Sequence, residues 1–141
     1  MRGQLGTPLS VGQSGQGTRI YYPVTGGEIV GDRIAATITD GGEWAILEDG
    51  GTVRVDVRMQ AQSADGAAFY IQYLGIIKMN SAVQAALAGG AETAFDDQYF
   101  YTNPRVETGD ARYRWLTETF FIGEGRFLKN QMVEYRLWRP I

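Results

Sequence analysis

From Thr52 to Gln62 the sequence alternates without a slip: Thr52, Arg54, Asp56, Arg58, Gln60 and Gln62 are polar, and Val53, Val55, Val57, Met59 and Ala61 are apolar. Successive side chains point to opposite sides only in extended backbone, so this stretch reads as one long β-strand with an apolar face and a charged face. Water accommodates such charges at no cost. If the charged face lines a closed barrel, however, an Asp flanked by two Arg becomes a preorganised polar site. The orientation of this one strand therefore decides where chemistry can sit.

Further strand-like segments occupy residues 18–24, 34–39, 44–47 and 67–79, with Gly26-Gly27, Gly41-Gly42, Asp49-Gly50-Gly51 and Asp65-Gly66 between them. Glycine pairs between apolar runs read as the tight turns of an antiparallel meander, and Asp65-Gly66, between the two longest strands, is the strongest hairpin signal. Residues 81–88 predict the one convincing helix, with Ser81 as its cap, Gln84 closing a capping box and Gly89 as the left-handed terminator. It is short and Ala-rich, which suits a cover over a barrel end. Strands resume at 99–103, 118–122 and 132–138, and the turn-rich piece from Pro104 to Leu116 has room for one helical turn. Residues 1–16, rich in Gly, Gln and Ser, have little to bury and read as a mobile segment ahead of a single domain spanning 17–141. Roughly eight strands with one short helix predict an all-β fold, an antiparallel up-and-down barrel, because closure removes exposed edges.

A chain of 141 residues, 44% hydrophobic and 12% aromatic, can bury one proper core. Its 13 basic and 16 acidic residues give a net charge of −3 and are spread along the chain. No cationic field exists to hold nucleic acid or an anionic membrane. No apolar run approaches the ~18 residues of a membrane span, and residues 1–16 lack the apolar core of a signal peptide, so a cytoplasmic location is expected. The chain contains neither Cys nor His. That removes thiolate and His-based nucleophilic catalysis, together with the usual ligands of zinc, copper and non-haem iron. Acid–base chemistry then falls to Asp, Glu, Tyr, Lys or Arg. The Asp96-Asp97 pair matches no calcium loop and reads as a solvated turn or cap. The glycines at 12, 15 and 17 precede a strand rather than a helix, which argues against a dinucleotide site.

Taken in order, Gly17-Thr18-Arg19, Pro23-Val24-Thr25-Gly26-Gly27, Gly41-Gly42-Glu43-Trp44, Val55-Asp56-Val57-Arg58 and Asp65-Gly66-Ala67 form one series of short motifs in the N-terminal half, and a second series follows in the C-terminal half. That series is Tyr99-Phe100-Tyr101-Thr102, Glu107-Thr108-Gly109-Asp110, Trp115-Leu116 and Phe121-Ile122-Gly123-Glu124-Gly125. In order and spacing the chain resembles the domain-of-unknown-function family 3237, small bacterial and fungal proteins also grouped as uncharacterised protein family 0311. The resemblance covers residues 17–135 and implies a compact antiparallel barrel with a polar-lined cavity and no generally assigned activity. Trp44, Asp56, Arg58, Tyr99 and Trp115 fall on the family's characteristic polar and aromatic positions. The chain departs from the pattern at three places. Tyr101 stands where the family usually has Arg, Glu43 stands where it usually has Asp, and only residues 1–16 are left to supply the family's extra first strand.

For Arg54, Asp56 and Arg58 the residues alone leave two readings, a surface ladder of cross-strand ion pairs or an inward polar cluster. The resemblance favours Asp56 and Arg58 facing inward. Asp56, Arg58 and Tyr101 are then the candidate catalytic groups, and Trp44, Tyr99, Trp115 and Glu107 the candidate substrate contacts. Tyr and Trp join an apolar body to a hydrogen-bond donor, which suits a small aromatic or alicyclic ligand. Tyr22, Phe69, Tyr73 and Phe120 read as ordinary core, and Thr108 or Asp110 as a turn cap. Two functions fit. One is a cofactor-free enzyme in which Arg polarises a carbonyl while Asp56 or a Tyr moves a proton, as an isomerase, cyclase, hydratase or lyase. The other is a non-catalytic binder of a small apolar metabolite. With the polar face inward, Val53, Val55 and Val57 would face out and need cover, which predicts a homo-oligomer, most simply a dimer.

Overall fold

The apolar face of the long alternating strand is the inner one. The computed structural model describes residues 1–141 and contains ten strands and two helices. In chain order they are β1 (Arg2–Leu5), β2 (Leu9–Ser14), β3 (Gly17–Gly31), β4 (Ile34–Leu47), β5 (Thr52–Ser63), β6 (Ala68–Lys78), α1 (Ser81–Gly89), β7 (Phe100–Thr102), β8 (Arg105–Glu107), α2 (Arg114–Thr117), β9 (Ile122–Leu128) and β10 (Met132–Trp138). Single 3-10 turns lie at Phe95–Asp97 and Ala111–Tyr113. No helix is long and apolar enough to cross a membrane.

Every pairing is antiparallel, and β1 closes the ring by bonding to β10 on one edge and β3 on the other. The result is an eight-stranded barrel, with β8 pairing alongside the far part of β6 and β2 continuing beyond β1 along β3. Residues 1–16, expected to be a mobile segment, thus carry two paired strands, and the family's first strand is present after all. Composition hid this because β1 is held by backbone bonds rather than by large side chains. Its approach to β3 depends on Gly27, which has φ +136°, and a Cβ there would lie 2.1 Å from the carbonyl oxygen of Arg2. Gly26-Gly27 and Gly41-Gly42, expected as turns, therefore lie inside the long coiled strands β3 and β4. Asp65-Gly66 does form the β5–β6 hairpin.

On β5, Val53, Val55, Val57, Met59 and Ala61 are buried in one core with Ile38, Ile71, Tyr73, Phe100 and Tyr135. Arg54 and Arg58 are exposed on the outer wall and Asp56 is half-buried there. The inward orientation expected for Asp56 and Arg58 is corrected by this arrangement, and energetics explain it. Burying a charged group costs several kcal/mol even when paired, whereas each buried Val gains about 1.5 kcal/mol or more. The outward valine stripe that motivated an oligomer is consequently absent.

Helix α1 is capped one residue earlier than expected and stops one residue later. Asn80, not Ser81, is its cap, the side chain accepting from the Val83 N–H at 2.9 Å, and Gly90 rather than Gly89 takes the left-handed conformation. Val83 and Ala86 are buried against the barrel, so α1 covers one end. Helix α2 covers the other, entered through Asp110, which accepts from the Arg112 N–H. Asp97 caps its own turn by accepting from the Ala94 N–H at 2.7 Å. Strand β9 lies beyond the expected 118–122 because its inward positions include Gly125, where a Cβ would sit 2.5 Å from the Phe100 ring.

Candidate functional site

Alternation along β3 and β4 sends Ile20, Tyr22 and Val24, and then Glu43, Ala45 and Leu47, toward the barrel interior. Tyr22 and Glu43 are direct cross-strand partners, and Glu43 faces Val57 on its other side. These side chains, with Val53, Val55, Ile77, Phe100 and Phe127, wall a chamber of about 700 Å³ beneath α1. Its mouth is formed by α1 and by the β9–β10 turn carrying Lys129. A volume of this order is typical of small-molecule sites, which pair apolar walls with a few polar groups.

Glu43 is the chamber's one carboxyl group. It is 8% exposed, and burial alone pushes its pKa up to about 7, with no hydrogen bond or opposing charge from the chain to hold it down. Burial and the charge of Glu43 also raise the Tyr22 phenol, which keeps its proton. Behind Glu43 the Tyr73 hydroxyl donates to the Tyr135 hydroxyl at 3.1 Å, with the rings edge-on at 5.4 Å. Burial raises both of these phenols far above their ordinary value. Together with Val57, Met59 and Val133 they form a septum across the barrel, with a gap of about 10 Å³ beside Glu43. That gap has room for a single water at most. Beyond the septum lies a second chamber of about 630 Å³ under α2.

The seven residues singled out from the sequence fall elsewhere. Trp44, Asp56, Tyr99 and Tyr101 do come together, but in an open groove of about 530 Å³ on the outer wall, with Arg19, Arg54 and Leu74. There Trp44 packs 5.1 Å from Tyr21, and Tyr99 lies edge-on to Tyr101 at 4.9 Å. The Tyr101 hydroxyl donates to Glu124 at 3.3 Å, and the Glu124 charge raises its pKa. Asp56 pairs with neither flanking Arg, one of its oxygens is buried without a partner, and Arg54 pairs with Glu48 instead. Arg58 and Glu107 are exposed and line none of these cavities. Trp115 lines the α2-side chamber, beneath the Arg33 guanidinium at 4.2 Å. No cluster of three or more acidic side chains is placed to hold a metal ion.

Sequence reasoning missed Glu43 as a site residue and placed Tyr22 and Tyr73 in ordinary core. Tyr73 is core, within the septum. A usable signal was present nonetheless, since Glu43 shares its strand face with Ala45 and Leu47. It also occupies the position at which the family pattern carries a carboxylate.

Residues 1–140 match the family model described as a protein of unknown function, DUF3237. The chain belongs to this family. An uncharacterised UPF0311 protein of Rhodopseudomonas palustris is 29% identical over 121 residues, covering 85% of this chain and 79% of the relative. Another from Bradyrhizobium diazoefficiens is 29% identical over 119 residues, covering 84% and 78%. Among solved structures, a conserved protein of unknown function from R. palustris superposes with a TM-score of 0.88 at 26% identity, covering 96% of this chain and 90% of that one. A β-barrel-like protein of Acinetobacter baumannii gives 0.79 at 25%, covering 98% and 90%. A protein described as an enzyme from Penicillium herquei shares the fold with a TM-score of 0.68 at 20% identity, covering 95% and 86%.

Proposed function

We propose that the α1-side chamber is an acid–base site in which Glu43 moves a proton on a small aromatic or alicyclic carbonyl compound. The observation that carries this reading is a single unpaired carboxyl group, poised by burial at about 7, facing an apolar chamber of about 700 Å³. A carboxyl group with such a pKa holds comparable amounts of acid and base at neutral pH, the condition under which general acid–base catalysis is most effective. The ionised carboxylate takes a proton from the carbon next to the carbonyl, and the released electron pair moves onto the carbonyl oxygen as an enolate. The Tyr22 hydroxyl lies across the strand pair from Glu43, makes no hydrogen bond within the chain and is available to donate to that oxygen. Protonated Glu43 then returns the proton, to a different carbon in an isomerisation or to the leaving group as the enolate collapses and expels it in a lyase step. The proton leaves and returns within the site, so the step requires no electron carrier. The description of the Penicillium herquei barrel as an enzyme is consistent with catalysis on this fold.

The apolar walls also suit a binding protein for the same compounds. Proton exchange separates the two readings. Cyclic ketones incubated with the protein in heavy water should lose the NMR signals of protons next to the carbonyl, and Glu43→Gln should suppress that exchange while binding persists. Binding without exchange in the unsubstituted protein would leave the non-catalytic reading standing.

A further inference from the structure

The septum divides the barrel, and the α2-side chamber has a different chemistry from the one that holds Glu43. Its walls include Ile29, Ile71, Phe121 and Leu137, and its polar rim is cationic. Arg33 stands at this rim in the two-residue β3–β4 turn, its guanidinium 4.2 Å above the Trp115 ring, and it forms no ion pair. Arg139 also lines the chamber without an acidic partner, and Asp32 is the only carboxylate side chain there. In a chain of net charge −3, two unpaired guanidiniums beside an apolar hollow are a local reversal of sign.

Stacking on an indole fixes the plane of a guanidinium while leaving its edge N–H groups free to donate. A carboxylate matches that edge with two parallel hydrogen bonds. We propose that the α2-side chamber is a second binding site, which takes an amphipathic carboxylate with its apolar body inside the barrel and its carboxylate on Arg33. This inference is independent of catalysis at Glu43, because the Tyr73–Tyr135 septum lies between the two chambers.

The protein carries its own reporter. Of its three Trp, Trp115 and Trp138 line this chamber and Trp44 lies in the outer groove, while none lines the Glu43 chamber. Titrating the full chain in a Trp44→Phe background with decanoate and with decanol, below micelle formation, should change the tryptophan fluorescence. Decanoate should bind at least about tenfold more tightly than decanol, as a charge-assisted hydrogen bond requires. Arg33→Gln should reduce decanoate to the affinity of decanol, and Glu43→Gln should leave the fluorescence titration unchanged. Equal affinity for the two probes, an Arg33→Gln variant that still prefers decanoate, or a titration altered by Glu43→Gln would overturn the proposal.

Discussion

Glu43 and Asp56 lie on adjacent strands, and Glu43 directly faces Val57, the chain neighbour of Asp56. One carboxylate points into the barrel and the other away from it, on opposite sides of a single wall. Inside, desolvation dominates and brings the Glu43 pKa up to about 7. Outside, Asp56 shares an open groove with Arg19, Arg54 and three aromatic rings. Two acids of the same class thus acquire different chemistry from one half-turn of pleat. What distinguishes them is the company each face keeps, not the alternation that both strands display.

The harshest way to break this contrast is to exchange the faces. Val57→Asp places an unpaired charge in the core and should cost about 4 kcal/mol or more, a large share of a domain's stability. Asp56→Val should stay within about 1 kcal/mol of the parent, because it also removes an oxygen that has no partner. Urea unfolding of both variants measures the difference, and a larger loss in Asp56→Val than in Val57→Asp would mean that β5 presents its charged face inward. On the proposed acid–base reading, Glu43→Gln should slow ketone proton exchange about 10²–10⁴-fold, whereas Asp56→Asn should leave it unchanged.

A third measurement follows stability against pH. Unfolded, Glu43 titrates at its ordinary 4.5, and folded at about 7. Below 4.5 both states hold the proton and no difference arises. Between the two values the unfolded chain releases its proton first, so stability falls as pH rises and levels off above about 7. The full drop should be about 3 kcal/mol at 1.36 kcal/mol per pH unit. Glu43→Gln should lack it, so the stability difference between parent and variant isolates this group from the remaining carboxylates. The smallest effect belongs to the outer wall, where Arg54→Ala breaks the exposed pair with Glu48 and should change stability by less than about 1 kcal/mol.

Much of the architecture was legible in the sequence. Period-two patterning located β5 and β6, Asp65-Gly66 marked their hairpin, and the helix was placed to within one residue at each end. Glycine was the systematic source of error. Gly26-Gly27 and Gly41-Gly42 permit close backbone approach inside long strands, and a local reading cannot tell that use from a turn. Residues 2–5 were opaque because their bonding partners lie at the far end of the chain. Of the candidate residues, Trp44, Asp56, Tyr99 and Tyr101 line one groove, on the outer wall rather than inside the barrel. Alternation states that two faces exist, but the choice between them comes from Ile38, Ile71, Tyr73 and Phe100 on other strands, which need an apolar partner.

The way β1 closes the ring also bears on how the molecule is made. Arg2 pairs with Glu134, 132 positions away, and the same strand bonds to β3. During synthesis the meander from β3 to β6 can form from local hairpins as each segment emerges, but its walls enclose nothing until β10 has been translated and can join β1. Pairings of such long sequence separation make folding slow, on the scale of milliseconds to seconds for all-β topologies. Until that last seam closes, Glu43 stands in water with an ordinary acidity, so its shifted titration and the enclosed chambers should appear together, at the final step of folding.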